Sequence, residues 1–169
     1  GSFTALITLF DMASSSAFYT IISKERQQIQ FYAYYLFWMI IQLILIGLLV
    51  FSLPESIKNK VWFGHSDKLV YLALFSSFSM KKIWQFTSQI GESIRDTIGI
   101  QIRNLVLAIS YLIIVIIMGH YNLIKIERLF VLNGLIYILF TLLYVIRVNN
   151  SDLFSKEVKK DLKEVFKNF

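Results

Sequence analysis

The sequence predicts an all-α integral membrane fold of about five transmembrane helices followed by a C-terminal amphipathic cytoplasmic helix. Three observations carry that expectation. Of 169 residues, 56% are hydrophobic and 17% charged, with a mean hydropathy of +0.61; wrapped into a water-soluble globule, so apolar a chain would leave a greasy surface that clustered charges do not cover. Charge-free runs reach the roughly 20 residues a helix needs to cross the hydrocarbon layer. Six of the 17 basic residues lie after Ile146, so the net charge of +6 describes a basic tail behind hydrophobic segments and points to anionic lipid head groups rather than nucleic acid.

The segment 1–22 is long enough to span but holds Asp11. Residues 31–53 form a 23-residue run without a charge, and Pro54 follows where a helix would stop. The segment 69–91 again has spanning length but contains Lys81 and Lys82 side by side. Residues 104–124 carry nothing ionisable except His120, and 129–147 are uncharged as far as Ile146. Short joints at 24–30, 54–68, 92–103 and 125–128 leave no room for a soluble domain, so 1–148 reads as one partial transmembrane bundle. Gly1 opens directly into an apolar stretch without a basic n-region, and the chain reads as an excised piece of a longer polypeptide. In the linker 149–169, Phe154, Val158, Leu162, Val165 and Phe169 recur three or four apart between lysines, the pattern of an interfacial helix or of one packed on a neighbour.

With five spans the joints alternate sides. Lys24, Arg26, Arg95, Arg103 and the residues from Arg147 onward place ten basic side chains on one side, against five (Lys58, Lys60, Lys68, Lys125 and Arg128) on the other. The positive-inside rule then puts the C-terminus in the cytoplasm.

Polar residues fall into stripes at helical spacing. Thr4, Thr8, Asp11, Ser14, Ser15 and Tyr19 fall within one wedge of the helix beginning at Gly1, and Ser77, Lys81, Gln85, Ser88, Glu92 and Arg95 share a face of the third segment. Asn133, Tyr137, Thr141 and Tyr144 make a milder stripe, of the kind that bonds across membrane helices. Lys81 lies roughly 18 Å along the axis from Leu69, too deep to snorkel, and a central lysine costs about 2.5 to 3.5 kcal/mol to insert unless water or a counter-charge meets it. A hydrated cavity satisfies that demand, and Asp11 is either a pairing partner for Lys81 or a proton site.

Visible enzyme chemistry is lacking. Zero cysteines exclude disulfides, thiolate metal sites and a cysteine nucleophile, and two histidines leave little for a metal or other cofactor. There is no phosphate-cradling GxxxxGK[ST] loop, no GxGxxG and no HExxH. A membrane-integral transferase acting on a polyprenyl phosphate would need a base or metal-holding carboxylates facing the cavity, for which only Asp11 and Glu92 qualify. A non-catalytic membrane assembly subunit is the further alternative.

The run FDMASSSAFYTIISK at residues 10–24, the tyrosine-rich helix after it, SQIGESIRDT at 88–97 and QIRNLVLAISYL at 101–112 resemble, in order, the polysaccharide flippases of the Wzx type, with Ile21 where that family often has phenylalanine. The resemblance covers nearly the whole chain. It implies the multidrug, oligosaccharidyl-lipid and polysaccharide exporter architecture: two pseudo-symmetric six-helix bundles around a central cavity, of which this chain supplies helices two to six of the first, the second being the remainder of the same polypeptide. It further implies a bacterial inner-membrane location and alternating-access flipping of an undecaprenyl-diphosphate-linked oligosaccharide, with no bond chemistry. In that reading Lys81 and Lys82 neutralise phosphate, Ser77, Gln85 and Gln89 bond sugar hydroxyls, and Asp11, with Glu92 as a second carboxylate, couples to a proton or cation or pairs with a lysine.

Overall fold

The computed structural model describes residues 2–24 and 29–150, and every regular element among them is helical. In chain order these are α1 (Ser2–Asp11), α2 (Ser14–Lys24), α3 (Ile29–Ser52), α4 (Glu55–Trp62), α5 (Asp67–Phe78), a stretch of wide π-type turns (Ser79–Ile83), α6 (Trp84–Ser93), α7 (Thr97–His120) and α8 (Ile126–Asn150). Three stretches are long and apolar enough to cross a membrane: Gln30–Ser52 in α3, Thr97–His120 in α7 and Ile126–Arg147 in α8. They mark a membrane-associated chain. The helix expected over 149–169 lies, beyond the last residues of α8, outside the described residues.

The first segment departs from the single straight helix expected over 1–22. It breaks after Asp11 into α1 and α2, bent by 55°, and only together do the two halves reach the length and apolarity of a span. Neither Gly nor Pro stands at the break. Met12 and Ala13 take left-handed conformations, φ 45° and 59°, which cost an L-residue with a Cβ about 1 to 2 kcal/mol each, so the surroundings must hold the bend in place.

The third segment is helical throughout but is divided among α5, the π turns and α6, none of which has spanning length alone. Its buried line runs Val70, Leu74, Phe78, Lys82, Phe86, Ile90, a spacing of four at every step. In a regular α-helix, four residues overshoot a full turn by about 40°, so such a line winds off the packed face. The π turns, bonded i to i+5, take up the excess by widening the helix locally. The inward residue of the lysine pair is therefore Lys82, not Lys81.

Two boundaries moved for reasons of capping. The joint 54–68 contains α4, which Pro54 opens rather than merely ending α3. α7 starts seven residues before 104, because Asp96 caps it by accepting from the Gly99 amide at 3.1 Å.

α1–α2 and α5–α6 run side by side in the same direction, with Thr8 meeting Lys81, Asp11 meeting Lys82 and Ser15 meeting Gln89 in turn. The core between them and α3 is aromatic. Phe18 stacks on Tyr35 at 4.0 Å and tilts against Phe86 at 5.3 Å. α8 covers α5 and the π turns, with Gly134 against the Phe75 ring. α7 is outermost, with only Ile100 and Leu107 buried.

Candidate functional site

The polar groups of the interior collect where the α1–α2 break faces the π turns. Asp11 ends α1, and its carboxylate accepts from Ser14 Oγ at 2.9 Å, Ser15 Oγ at 2.5 Å and the Ser15 amide at 3.3 Å. It thereby caps the start of α2 and lies at the positive end of that helix's dipole. The same carboxylate is ion-paired with Lys82, whose side chain is 3% exposed. On the far side, Gln42 of α3 donates from Nε2 to the Phe10 carbonyl at 3.0 Å and to Ser14 Oγ at 3.1 Å. The break frees backbone groups, and Gln42 takes up one of them. Gln89 closes the arrangement by donating to the Ser15 carbonyl at 3.1 Å. Gln42 Oε1, Gln89 Oε1 and Ser79 Oγ are buried without a partner among the described residues.

Lys81 points elsewhere. Its ammonium donates to Thr8 Oγ1 at 2.7 Å and to the Thr4 carbonyl at 3.4 Å, on the outer side of α1, where Thr4 and Thr8 are exposed. The expected Lys81–Asp11 pairing is thus replaced by Lys82–Asp11, for the register reason given above. Ser77, Lys81, Gln85 and Ser88 are half-buried and Glu92 and Arg95 are exposed. This stripe and the outer face of α1 adjoin through Lys81 and form one open polar seam. Glu92 makes no ion pair among the described residues. It lies ten residues beyond Lys82, about 15 Å at the helical rise, so it does not join Asp11 in a carboxylate pair.

The α8 stripe is internal stitching. Asn133 donates to Ser76 Oγ at 2.7 Å, Thr141 and Thr87 hydroxyls meet at 2.7 Å, and both approach the Ile83 carbonyl, which the π turns leave available. Tyr137 sits edge-on to Trp84, and the Tyr144 ring lies 4.0 Å under the Arg103 guanidinium, itself bonded to Asp96 at 2.8 Å.

No family model matches the chain, and no curated protein or solved structure matches it. The geometry therefore has to speak for the site. It divides the expected residues into two groups: Asp11, Lys82 and Gln89 belong to the closed network at the break, while Ser77, Lys81, Gln85 and Glu92 lie along the open seam. Sequence reasoning missed Gln42 and Thr87. The signal for Gln42 was present, since it is the only amide in the charge-free run 31–53.

Proposed function

We propose that the chain forms a transmembrane wall along which an amphiphile with an anionic, hydrophilic head moves, and that its cargo is an undecaprenyl-diphosphate-linked oligosaccharide flipped across the bacterial inner membrane by alternating access. One observation carries the reading: the seam around Lys81 is open, yet it sits in mid-segment. Lys81 is roughly 18 to 21 Å from the ends of the helical stretch 67–93 at the helical rise, and a cation, hydroxyls and an amide at that depth need water or a polar ligand beside them rather than lipid. The cargo itself is what the resemblance to the Wzx-type flippases implies, and the residue types are compatible with it: a cation for diphosphate, with Ser77, Gln85 and Ser88 for sugar hydroxyls. The fourth and fifth crossings, by α1–α2 and by α5–α6, belong to the same reading. They are supported by the placement of the joints: 52–67 and 120–126 gather at one end, where Lys68 pairs with Glu127 at 3.1 Å, and 93–97 and the end of α8 gather at the other, where Arg103 lies over Tyr144.

The test is transport per copy of protein in a complementation strain, carried by the full-length parent. Lys81→Met removes the mid-segment cation of the seam while leaving the Lys82–Asp11 pair alone. Membrane abundance should stay near wild type, and transport should fall roughly ten- to hundredfold, the worth of a charge-assisted hydrogen bond. Lys81→Arg should keep part of the activity. Undiminished flux from Lys81→Met at equal abundance would remove diphosphate binding from this residue.

The topology has its own test, made clean by the absence of cysteine. Single cysteines at Ser66 and Asn122 should react with an impermeant thiol reagent in intact cells, and those at Gln27 and Ser155 only after permeabilisation. The opposite pattern would invert the molecule. Equal labelling of Ser66 and Gln27 from outside would remove the crossing between them.

A further inference from the structure

α4 is a short helix with two unlike sides. Trp62 is buried and stacks on Phe3 of α1, ring centroids 5.6 Å apart and 17° from parallel. Lys58 lies beside it on the bundle side, 3.6 Å from the Asp67 carboxylate and over the Phe51 ring at 5.8 Å. Ile57 and Val61, four residues apart and so on one face, point away from that contact by about 100° to 140° of helix rotation, and are 43% and 39% exposed. Phe63 continues the apolar side and is 86% exposed. The remaining side carries Ser56, Asn59 and Lys60, all exposed.

The position of α4 decides what meets the apolar side. The membrane-spanning stretch of α3 ends at Ser52 and only Leu53 and Pro54 intervene, at most about 7 Å of extended chain. α4 therefore starts at the edge of the hydrocarbon layer and cannot leave it, because Phe63 and Gly64 in left-handed conformations (φ 53° and 70°) and the His65 amide on the Trp62 carbonyl at 3.1 Å turn the chain directly into α5. Here an outward apolar face beside lysines and an aromatic pair has lipid as its neighbour.

We propose that α4 lies in the plane of the bilayer surface as an interfacial anchor, with Ile57, Val61 and Phe63 embedded where the acyl chains begin and Ser56, Asn59 and Lys60 in the head groups and water. Through the Trp62–Phe3 stack it sets the depth at which α1 enters the membrane. The inference holds for either orientation and does not depend on the cargo.

Spin labels on single cysteines at Ile57, Val61, Ser56 and Asn59, in the full chain reconstituted at low density into phosphatidylcholine and phosphatidylglycerol vesicles, test it. The ratio of collisions with oxygen to collisions with a water-soluble nickel chelate reports depth. The ratio should be several-fold higher at Ile57 and Val61 than at Ser56 and Asn59. Equally low ratios at all four sites would place α4 in water, equally high ones would sink it into the hydrocarbon, and either would overturn the proposal. Protection of Ile57 and Val61 from both reagents would show a protein partner or a second copy covering the face, and would overturn it equally.

Discussion

Lys82→Met is expected to be the most destabilising single change at the α1–α2 break. It leaves the half-buried Asp11 carboxylate without its counter-charge, and removing one member of a fully buried pair costs about 3 to 5 kcal/mol. The serine hydroxyls and the Ser15 amide stay on Asp11, so the loss belongs at the lower end of that range. Asp11→Asn combined with Lys82→Met removes both charges from a site already rich in donors and should recover most of the stability, since charges in contact are strongly non-additive. Membrane abundance and melting temperature in detergent measure both variants. Equal abundance of wild type and Lys82→Met, or a double variant no better than the worse single, would show that the pair does not hold the break. Lys81→Met is the matched comparison, one residue away and without this effect.

A second large effect is expected from a single methyl group on α8. A Cβ at Gly134 would overlap the Phe75 ring of α5, where the two helices pack; small residues let membrane helices approach this closely. Gly134→Ala should force α5 and α8 apart, stretch the nearby Asn133–Ser76 hydrogen bond and destabilise by about 1 to 3 kcal/mol, the usual penalty of overpacking. Shrinking the obstacle with Phe75→Leu should restore much of the loss. Gly47 on α3 provides the control, because a Cβ there meets nothing within 4 Å. If Gly134→Ala melts at the same temperature as Gly47→Ala, the close α5–α8 contact is wrong.

What could be read from the sequence was set by the signal each element relies on. α3 and α8 follow from uninterrupted apolar length, a property of composition alone. The start of α7 does not, because a charge-free run begins at Asn104 while the helix begins at its cap, and Asp96, a capping residue type, was the signal to weigh. The break at Met12–Ala13 hid for a similar reason. An apolar segment of spanning length invites a single helix, yet Asp11 and the three serines at 14–16 put a capping residue and poor helix formers in the middle of that run. At the candidate site, periodicity at 100° per residue found the polar seam but chose the wrong lysine for Asp11, since a π turn rotates everything beyond it. The four-residue spacing of Val70, Leu74, Phe78, Phe86 and Ile90 was the available clue, and Lys82 falls on it.

The Asp11–Lys82 pair also bears on how the chain is made. The partners are 71 residues apart, and at about 5 to 20 residues per second of synthesis Asp11 is made roughly 4 to 14 s before Lys82. Throughout that interval the Asp11 carboxylate has its serine donors but no counter-charge from Lys82. α3 is already apolar enough to enter lipid alone, and its Gln42 can steady the Phe10 carbonyl, but it brings no positive charge. The ion pair that closes the α1–α2 break therefore forms only once the segment bearing Lys82 has been made, so the first segment of the chain is completed by its third.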